Sequence, residues 1–288
     1  GGYHDAGDWN PRRVTHMYTT LAQLELCELY PDYFNKLNLN IPPVDGVPDM
    51  ISEALFEIDC FRRLQMPDGA IPYGIETEGD PSSGEVSWLA TQHCYVLAPN
   101  IRDTWLYAAV AGRAAKVLKP FKPDLAQIYL ESAIRAFNWA EGELAGKRAA
   151  GQPMEKKDYW DAFDARNLSS IVLYDISGDK TYHEVFMQDT CLKQPGAEIV
   201  SWGFNIQCDP VFLYARMDPA KTDPKIRENA RAGVISLAER SLKYAAGNAF
   251  NITQREPGRP MFAGFFSTSG GSELVRAHYL TGKLEYLQ

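Results

Sequence analysis

The sequence lacks any run of about 18 consecutive apolar residues, the length a helix needs to cross a membrane, so we expect no membrane partner. It also lacks an excess of positive charge, since 29 Lys and Arg face 37 Asp and Glu, a formal net charge of −8. Nucleic-acid backbones favour a basic face, so we expect no nucleic-acid partner either. What remains is a chain of 288 residues, 45% hydrophobic, which is long enough to bury a large core.

Cysteine is scarce and unpatterned. Five cysteines are widely separated and none forms a CxxC pair, which argues against zinc ribbons and thioredoxin-like redox chemistry. Cys27 and Cys60 lie among apolar residues of predicted helices, so we expect them to be buried free thiols. A signal peptide and an initiator methionine are lacking too, and the chain starts inside a motif. We therefore expect a segment truncated at both ends, so that the missing signal is uninformative about secretion.

Helical periodicity dominates the chain. Apolar residues recur at helical spacing over residues 12–30 and again within "DGVPDMISEALFEIDCFRRLQM", where Pro48 suits a first helical turn. The second helix runs into "PDGA", a turn signal. Further helices are predicted at about 102–118, 123–145, 161–177, 179–190, 202–217, 224–246 and 268–281. Only short strands are expected, for example over residues 70–75.

A faint internal repeat accompanies these helices. "LYDISGDKTYHEVF" is similar to "HYLTGKLEYLQ", and Gly178 and Gly282 fit the left-handed position that closes a helix. Repeated helical hairpins stack into solenoids or close into toroids. A toroid would bring the connecting segments 1–11, 72–100, 150–161 and 247–267 to one face. No linker interrupts the pattern, so we expect residues 1–288 to form a single domain.

The first ten residues, "GGYHDAGDWN", carry the clearest chemistry. The small Ala-Gly pair lets the backbone turn sharply, so that Asp5 and Asp8 can point towards one place. Two carboxylates so close suit metal binding, or the holding and deprotonation of a water molecule. Alternatively, either aspartate caps the helix that follows. The residues alone leave these interpretations open.

This stretch closely resembles the "GGWHDAGDY" motif of glycoside hydrolase family 9, the inverting cellulases. Three further stretches are similar to that family in order and spacing: "DGVPDMISEALFEIDCFRRLQMPDGA", "LYDISGDKTY" and "LVRAHYLTGKLEYL". Together they cover most of the chain. The resemblance implies an all-α fold, an (α/α)6 barrel that is incomplete in this chain, which agrees with the predicted helical hairpins.

The resemblance also implies roles for the two aspartates. Asp8 aligns with the general base that activates water, and Asp5 would help to orient the same water. The general acid of the family is a glutamate several dozen residues beyond the "LTGKLEYL" turn, so we expect it beyond Gln288. The family's histidine and arginine motif for substrate lies in the same stretch. Within the chain, Glu273 is expected to be a solvated helical residue.

Aromatic residues in predicted loops are candidates for sugar stacking, because sugars expose apolar C–H faces. We expect His4, Trp9, Trp88, Trp160 and Trp202 to bind substrate, and Trp105 and Trp139 to belong to the core. The segment "GIETEGDPSSGEVSW" has the length and acidity of a cleft-lining loop. It lacks the Trp-Trp-Gly-Pro signature common in cellulases. Its acids Glu76, Glu78, Asp80 and Glu85 would be compatible with an amino-sugar substrate, although a solvated loop is the simpler interpretation.

No cofactor is expected. Many family members bind calcium through an Asp-Glu pair that would align with Asp164 and Ala165, so this calcium site looks weakened, with Asp161 as the only nearby compensation. His93, isolated in "TQHCY", is expected to be structural.

The leading hypothesis is an inverting β-1,4-glycan hydrolase, an endoglucanase acting on cellulose or related β-glucans. The alternatives are an exo-acting glycosidase on short β-linked oligosaccharides, including amino sugars, and a carbohydrate-binding member without turnover. A terpenoid cyclase is disfavoured because no DDxxD motif is present. The resemblance implies that the partner of the protein is a glycan and that its location is secreted or periplasmic, and it leaves room for accessory domains outside this segment.

Overall fold

The computed structural model describes residues 3–4, 13–86, 91–154, 156–157, 160–200, 205–247, 251, 253 and 271–288. The chain divides into two compact units, residues 1–154 and 155–288. That the whole chain is a single domain stays a prediction. Among the described residues, no helix combines the length and the apolar character that crossing a membrane requires.

In the first unit, five helices and one two-stranded sheet are described. The helices are α1 (Arg13–Leu29), α2 (Pro31–Phe34), α3 (Asp49–Leu64), α4 (Ile101–Leu118) and α5 (Pro123–Ala149). Strands β1 (Ile75–Thr77) and β2 (Cys94–Val96) pair antiparallel, with Glu76 opposite Tyr95. The expected strand over residues 70–75 is therefore displaced towards residue 77, and Pro72 forms an isolated bridge with Pro99 before it.

Helix α4 forms the centre of the first unit, in contact with α1, α3 and α5. Nearly every residue of α4 is buried, including Trp105, whose residue surface is 0% exposed. Its many alanines allow neighbouring helices to approach closely. The expectation that Trp105 belongs to the core is confirmed, whereas Trp139 on α5 is only half-buried. Cys27 is buried and Cys60 half-buried, and both are free thiols.

In the second unit, strands β3 (Lys156–Lys157) and β4 (Trp160–Asp161) pair antiparallel. The helices that follow are α6 (Ala162–Ser177), α7 (Lys180–Asp189), α8 (Cys208–Arg216), α9 (Pro224–Ala245) and α10 (Ser272–Thr281). Helix α6 contacts α7 and α8, and α9 contacts α8 and α10. Side chains of Asp161, Asp179 and Asp223 cap helices α6, α7 and α9 by accepting bonds from free backbone N–H groups.

Helix ends agree with the sequence where a strong signal exists. Gly178 and Gly282 have φ of 72° and 73°, the left-handed conformation predicted for both. The helix predicted from residue 202 begins instead at Cys208, because residues 205–207 form a turn in which the Asn205 side chain accepts a bond from the Gln207 N–H at 2.9 Å. The expected start at residue 268 lies outside the described residues.

Glu273 was expected to be solvated, and this prediction is wrong. The residue is only 3% exposed, because the first turn of α10 lies against α9. The Ser241 hydroxyl of α9 donates a hydrogen bond of 2.6 Å to Glu273 Oε1. Burial raises the pKa of this carboxyl above its ordinary value. Helical periodicity considers only where a residue lies on its own helix. It therefore gives no information about the helix that covers Glu273.

The "PDGA" turn after α3 depends on Gly69, which has φ of 106°. A Cβ atom at this position would lie 2.5 Å from the backbone oxygen of Arg135 on α5. We expect Gly69→Ala to lower the free energy of unfolding by about 2 kcal/mol or more, because a carbonyl of a packed helix cannot easily move away. Urea unfolding measures this change.

Gly79→Ala is the matched control, since nothing lies within 4 Å of the added Cβ there. We expect it to leave the free energy of unfolding within about 0.5 kcal/mol of the unchanged protein. Equal effects of the two substitutions would contradict the close approach of the turn to α5.

Candidate active site

The two expected catalytic aspartates, Asp5 and Asp8, lie outside the described residues, as do Trp9, Trp88 and Trp202. Their assignment stays a prediction. Trp160 belongs to β4, but its side chain also lies outside what is described. How these side chains lie relative to one another stays a prediction too, and the structure shows the described residues next to them in the chain.

Of the residues that lead into the DAGD motif, His4 and Tyr3 are described. The side chain of His4 is exposed, as a substrate-binding role requires. Tyr3 is half-buried and held at both its backbone and its side chain. Its hydroxyl donates to Glu53 Oε1 at 2.9 Å, and its backbone N–H donates to Glu57 Oε2 at 2.5 Å. The chain is thus attached to α3 two residues before Asp5.

Ring contacts complete the attachment of Tyr3. Its ring lies 5.8 Å from that of Phe56 on α3 and meets the His16 ring of α1 edge to face, with centroids 6.5 Å apart. Such pairs stabilise beyond the area they bury. The sequence analysis used only the spacing of apolar residues to predict α3. It therefore assigned no role to Tyr3, His16, Glu53 and Glu57. One signal in the sequence could have indicated this contact. Glu57 is a charged residue next to Ile58 on the buried face of α3, so it needs a polar partner there.

Glu57 is the most buried acid of this region, with 0% of its surface exposed. Burial raises its pKa to about 7, while the bond from the Tyr3 backbone acts in the opposite direction. Its Oε1 atom lies 3.7 Å from His16 Nδ1. A carboxyl in this position changes charge near neutral pH.

This pKa has a consequence for stability. Between pH 4.5, the ordinary pKa of the side chain, and about 7, folded Glu57 keeps a proton that the unfolded chain has released. Stability therefore falls as the pH rises through this window, by up to about 3 kcal/mol. We expect Glu57→Gln to remove this part of the pH dependence, measured as free energies of unfolding in urea at pH 5 and pH 8. Glu143→Gln, at an exposed position of α5, should leave it unchanged.

The acidic loop is organised by Glu85. Its Oε1 accepts a bond of 2.6 Å from the Thr91 N–H, and its Oε2 accepts one of 3.0 Å from the Ser82 N–H. These bonds lower the pKa of Glu85. They join the two sides of the segment that contains Trp88. His93, expected to be structural, is exposed, and its backbone oxygen accepts a bond from the Glu78 N–H at 3.1 Å.

Of the pair aligned with the family's calcium ligands, Ala165 has no ligand atom in its side chain, and Asp164 and the nearby Asp161 are both engaged within the protein. Asp161 caps α6 by accepting a bond of 3.0 Å from the Phe163 N–H, and buried Asp164 accepts one of 3.4 Å from Gln207. In the described part of the chain, no three His, Cys, Asp or Glu side chains are grouped to hold a metal. Two separately engaged aspartates fit calcium poorly, since this ion takes six to eight oxygen ligands. The absence of a cofactor stays a prediction.

Comparison with solved structures identifies the class of fold. The chain is similar to a glycoside hydrolase family 9 protein of Bacteroides ovatus, with a TM-score of 0.82 and 21% identity over 99% of this chain and 55% of the other. It is also similar to a metagenome-derived family 9 endoglucanase, with a TM-score of 0.81 and 26% identity over 99% and 52% of the two chains. The predicted fold class, the all-α (α/α)6 barrel of these proteins, is confirmed.

The family follows from the sequence model of glycosyl hydrolase family 9, which matches residues 1–275. The chain belongs to this family. A curated relative is a xyloglucan-specific endo-beta-1,4-glucanase of Bacteroides ovatus, 22% identical over 99% of this chain and 51% of its own length. Another is endoglucanase D of Acetivibrio thermocellus, 20% identical over 88% of this chain and 41% of its own length. The chain thus spans about half the length of these relatives.

Proposed function

We propose that the protein hydrolyses β-1,4-glycosidic bonds in cellulose or a related β-glucan, as an endoglucanase, with inversion of configuration. The single observation that carries this proposal is the intact "HDAGD" sequence in a chain that belongs to glycosyl hydrolase family 9. Both curated relatives cited above are named as endoglucanases, one of them specific for xyloglucan. Xyloglucan is therefore among the substrates to be tested.

In this mechanism Asp8 is ionised and takes a proton from water, while Asp5 accepts the other hydrogen and fixes the orientation of the water. The water attacks the anomeric carbon from the face opposite the leaving oxygen, which a general acid protonates. Inversion requires the acid and the base to lie about 6.5–9.5 Å apart, so that the water fits between them. The acid is the glutamate that the family resemblance places beyond Gln288.

Substrate would be held by His4 and by Trp9, Trp88, Trp160 and Trp202 as stacking platforms. Glu85 holds its own loop closed through Ser82 and Thr91, so it has little capacity left for an amino sugar. We further propose that the protein acts outside the cytoplasm, secreted or periplasmic, because polymeric glucans are met there.

The test is product analysis of the full-length protein on cello-oligosaccharides, xyloglucan and chito-oligosaccharides, with the anomeric configuration followed by NMR. We expect α-anomers to appear first from β-1,4-glucans. Retention of configuration would contradict the role of Asp8 as the base that activates water. Binding without turnover would favour the carbohydrate-binding alternative, and turnover of chito-oligosaccharides alone would favour the amino-sugar alternative.

A further inference from the structure

Glu57 lies on α3 with no exposed surface, and its carboxyl faces the start of the chain rather than solvent. Its Oε2 accepts the Tyr3 backbone N–H at 2.5 Å. Its Oε1 has no hydrogen-bond partner among the described residues, and lies 3.7 Å from His16 Nδ1. The acid therefore makes its one close hydrogen bond to the main chain of another segment.

This arrangement is costly for the fold. A buried carboxyl needs several hydrogen bonds to offset its desolvation, and among the described residues Glu57 accepts one, from the Tyr3 N–H. An apolar residue of similar size would fit a helix whose other buried positions include Ile51, Leu55 and Ile58. The carboxyl thus contributes little to the packing of α3, and its effect is to hold the backbone at Tyr3.

We propose that Glu57 is a positioning residue for the catalytic aspartates, acting through the backbone of Tyr3. This inference rests on the proposed function. Consecutive Cα atoms are 3.8 Å apart, so fixing Tyr3 confines the Cα atom of Asp5 to within about 7.6 Å of the attached point. Helix α1 begins at Arg13, so the motif lies between two parts of the first unit that are both held by described contacts. A fixed entry reduces the positions that Asp5 and Asp8 can occupy.

Glu53 binds the side chain of Tyr3, whereas Glu57 binds its backbone. Substitutions can therefore test the effects of the two acids independently. Glu53 Oε1 accepts the Tyr3 hydroxyl at 2.9 Å, so Tyr3→Phe removes this bond and leaves the backbone bond to Glu57. Glu57→Leu removes the backbone bond and keeps a buried side chain of similar size. Glu57→Gln keeps an acceptor oxygen for the same N–H. The three variants therefore separate positioning of the backbone from side-chain packing.

In kinetics on cello-oligosaccharides with the full-length protein, we expect Glu57→Leu to lower kcat by about 10- to 100-fold, as misplacement of a reacting group by about 1 Å does. KM should change by less than kcat does, since three of the five proposed sugar-binding side chains, Trp88, Trp160 and Trp202, lie outside the segment attached through Tyr3. Glu57→Gln and Tyr3→Phe should keep kcat within about three-fold. A Glu57→Leu variant with kcat within two-fold of the unchanged protein, or with KM alone altered, would overturn the inference.

Hydrogen exchange of the peptide that contains residues 3–12 tests the attachment independently of activity. We expect faster exchange in Glu57→Leu than in Glu57→Gln, with exchange of α4 unchanged as proof of an intact fold. Unchanged exchange in Glu57→Leu would overturn the inference even if the enzyme is active. Failure of the unchanged protein to hydrolyse any β-1,4-glucan would instead refute the proposed function, and faster exchange would then support the attachment of Tyr3 by itself.

Discussion

Replacing Asp8 with alanine is expected to lower kcat on β-1,4-glucans by about a thousand-fold or more while the protein remains folded. Without a base, the attacking water must lose its proton to bulk solvent while an oxocarbenium-like centre develops. Proton transfer by a positioned side chain supplies about 10²–10⁴ in rate, and a water that is no longer oriented adds to the loss. Initial rates on cello-oligosaccharides measure the effect, with KM expected to change little.

Two comparisons make this prediction specific. Asp32→Asn, at a fully exposed position of α2 where the carboxylate lies 3.6 Å from Lys36 Nζ, should leave kcat unchanged. Asp5→Ala should lower kcat by less than Asp8→Ala, because in the proposed mechanism Asp5 orients the water and does not take its proton. If Asp8→Ala keeps kcat within ten-fold of the unchanged protein, Asp8 is not the base. A larger effect of Asp5→Ala would assign the base to Asp5.

Arg113→Ala is expected to lower the free energy of unfolding by about 3–5 kcal/mol, the usual cost of breaking a buried ion pair from one side. The Arg113 side chain on α4 is 2% exposed and contacts two acids of α1. Its Nη1 lies 3.3 Å from Glu25 Oε2, and its Nε lies 3.5 Å from Glu28 Oε2. Truncation leaves Glu25 buried without this cation, while Glu28 keeps Lys116 at 2.8 Å. Urea unfolding at neutral pH measures the loss.

Arg63→Ala is the matched control, because it breaks an ion pair of better geometry at the surface. Arg63 Nε lies 2.6 Å from Asp59 Oδ2, but its side chain is 75% exposed. Exposed pairs contribute about 0–1 kcal/mol, so the expected change is small. A similar decrease in the free energy of unfolding in both variants would contradict the prediction, because the buried position of Arg113 would then make no difference.

The helices were predictable because their signals are local. Helices α4, α6 and α9 begin and end within about four residues of the positions that periodicity predicted, and glycine closes α6 and α10 as expected. Where a local signal was weak, the bounds differ. Helix α8 begins at Cys208 because the Asn205 side chain accepts a bond from the Gln207 N–H and so shapes the turn before the helix.

The candidate site was predictable only in its chemistry. The paired acids of "HDAGD" suit metal binding or water activation, the family resemblance implies water activation, and the neighbouring tryptophan suits sugar stacking. Periodicity assigned Glu273 to a solvated face, and the structure buries it against Ser241. It assigned no role to Glu57, which the structure buries beneath Tyr3.

The sequence by itself determined the helical class, the closing glycines and the family, because each depends on motifs formed by residues near one another in the chain, whereas the assignment of Asp5 and Asp8 stays a prediction. Tertiary structure alone decided which charges are buried and what they hold. Glu57 and Tyr3 are 54 positions apart, and Arg113 and Glu25 are 88 apart. No local pattern specifies such pairs, because the surface that buries each charge belongs to another helix.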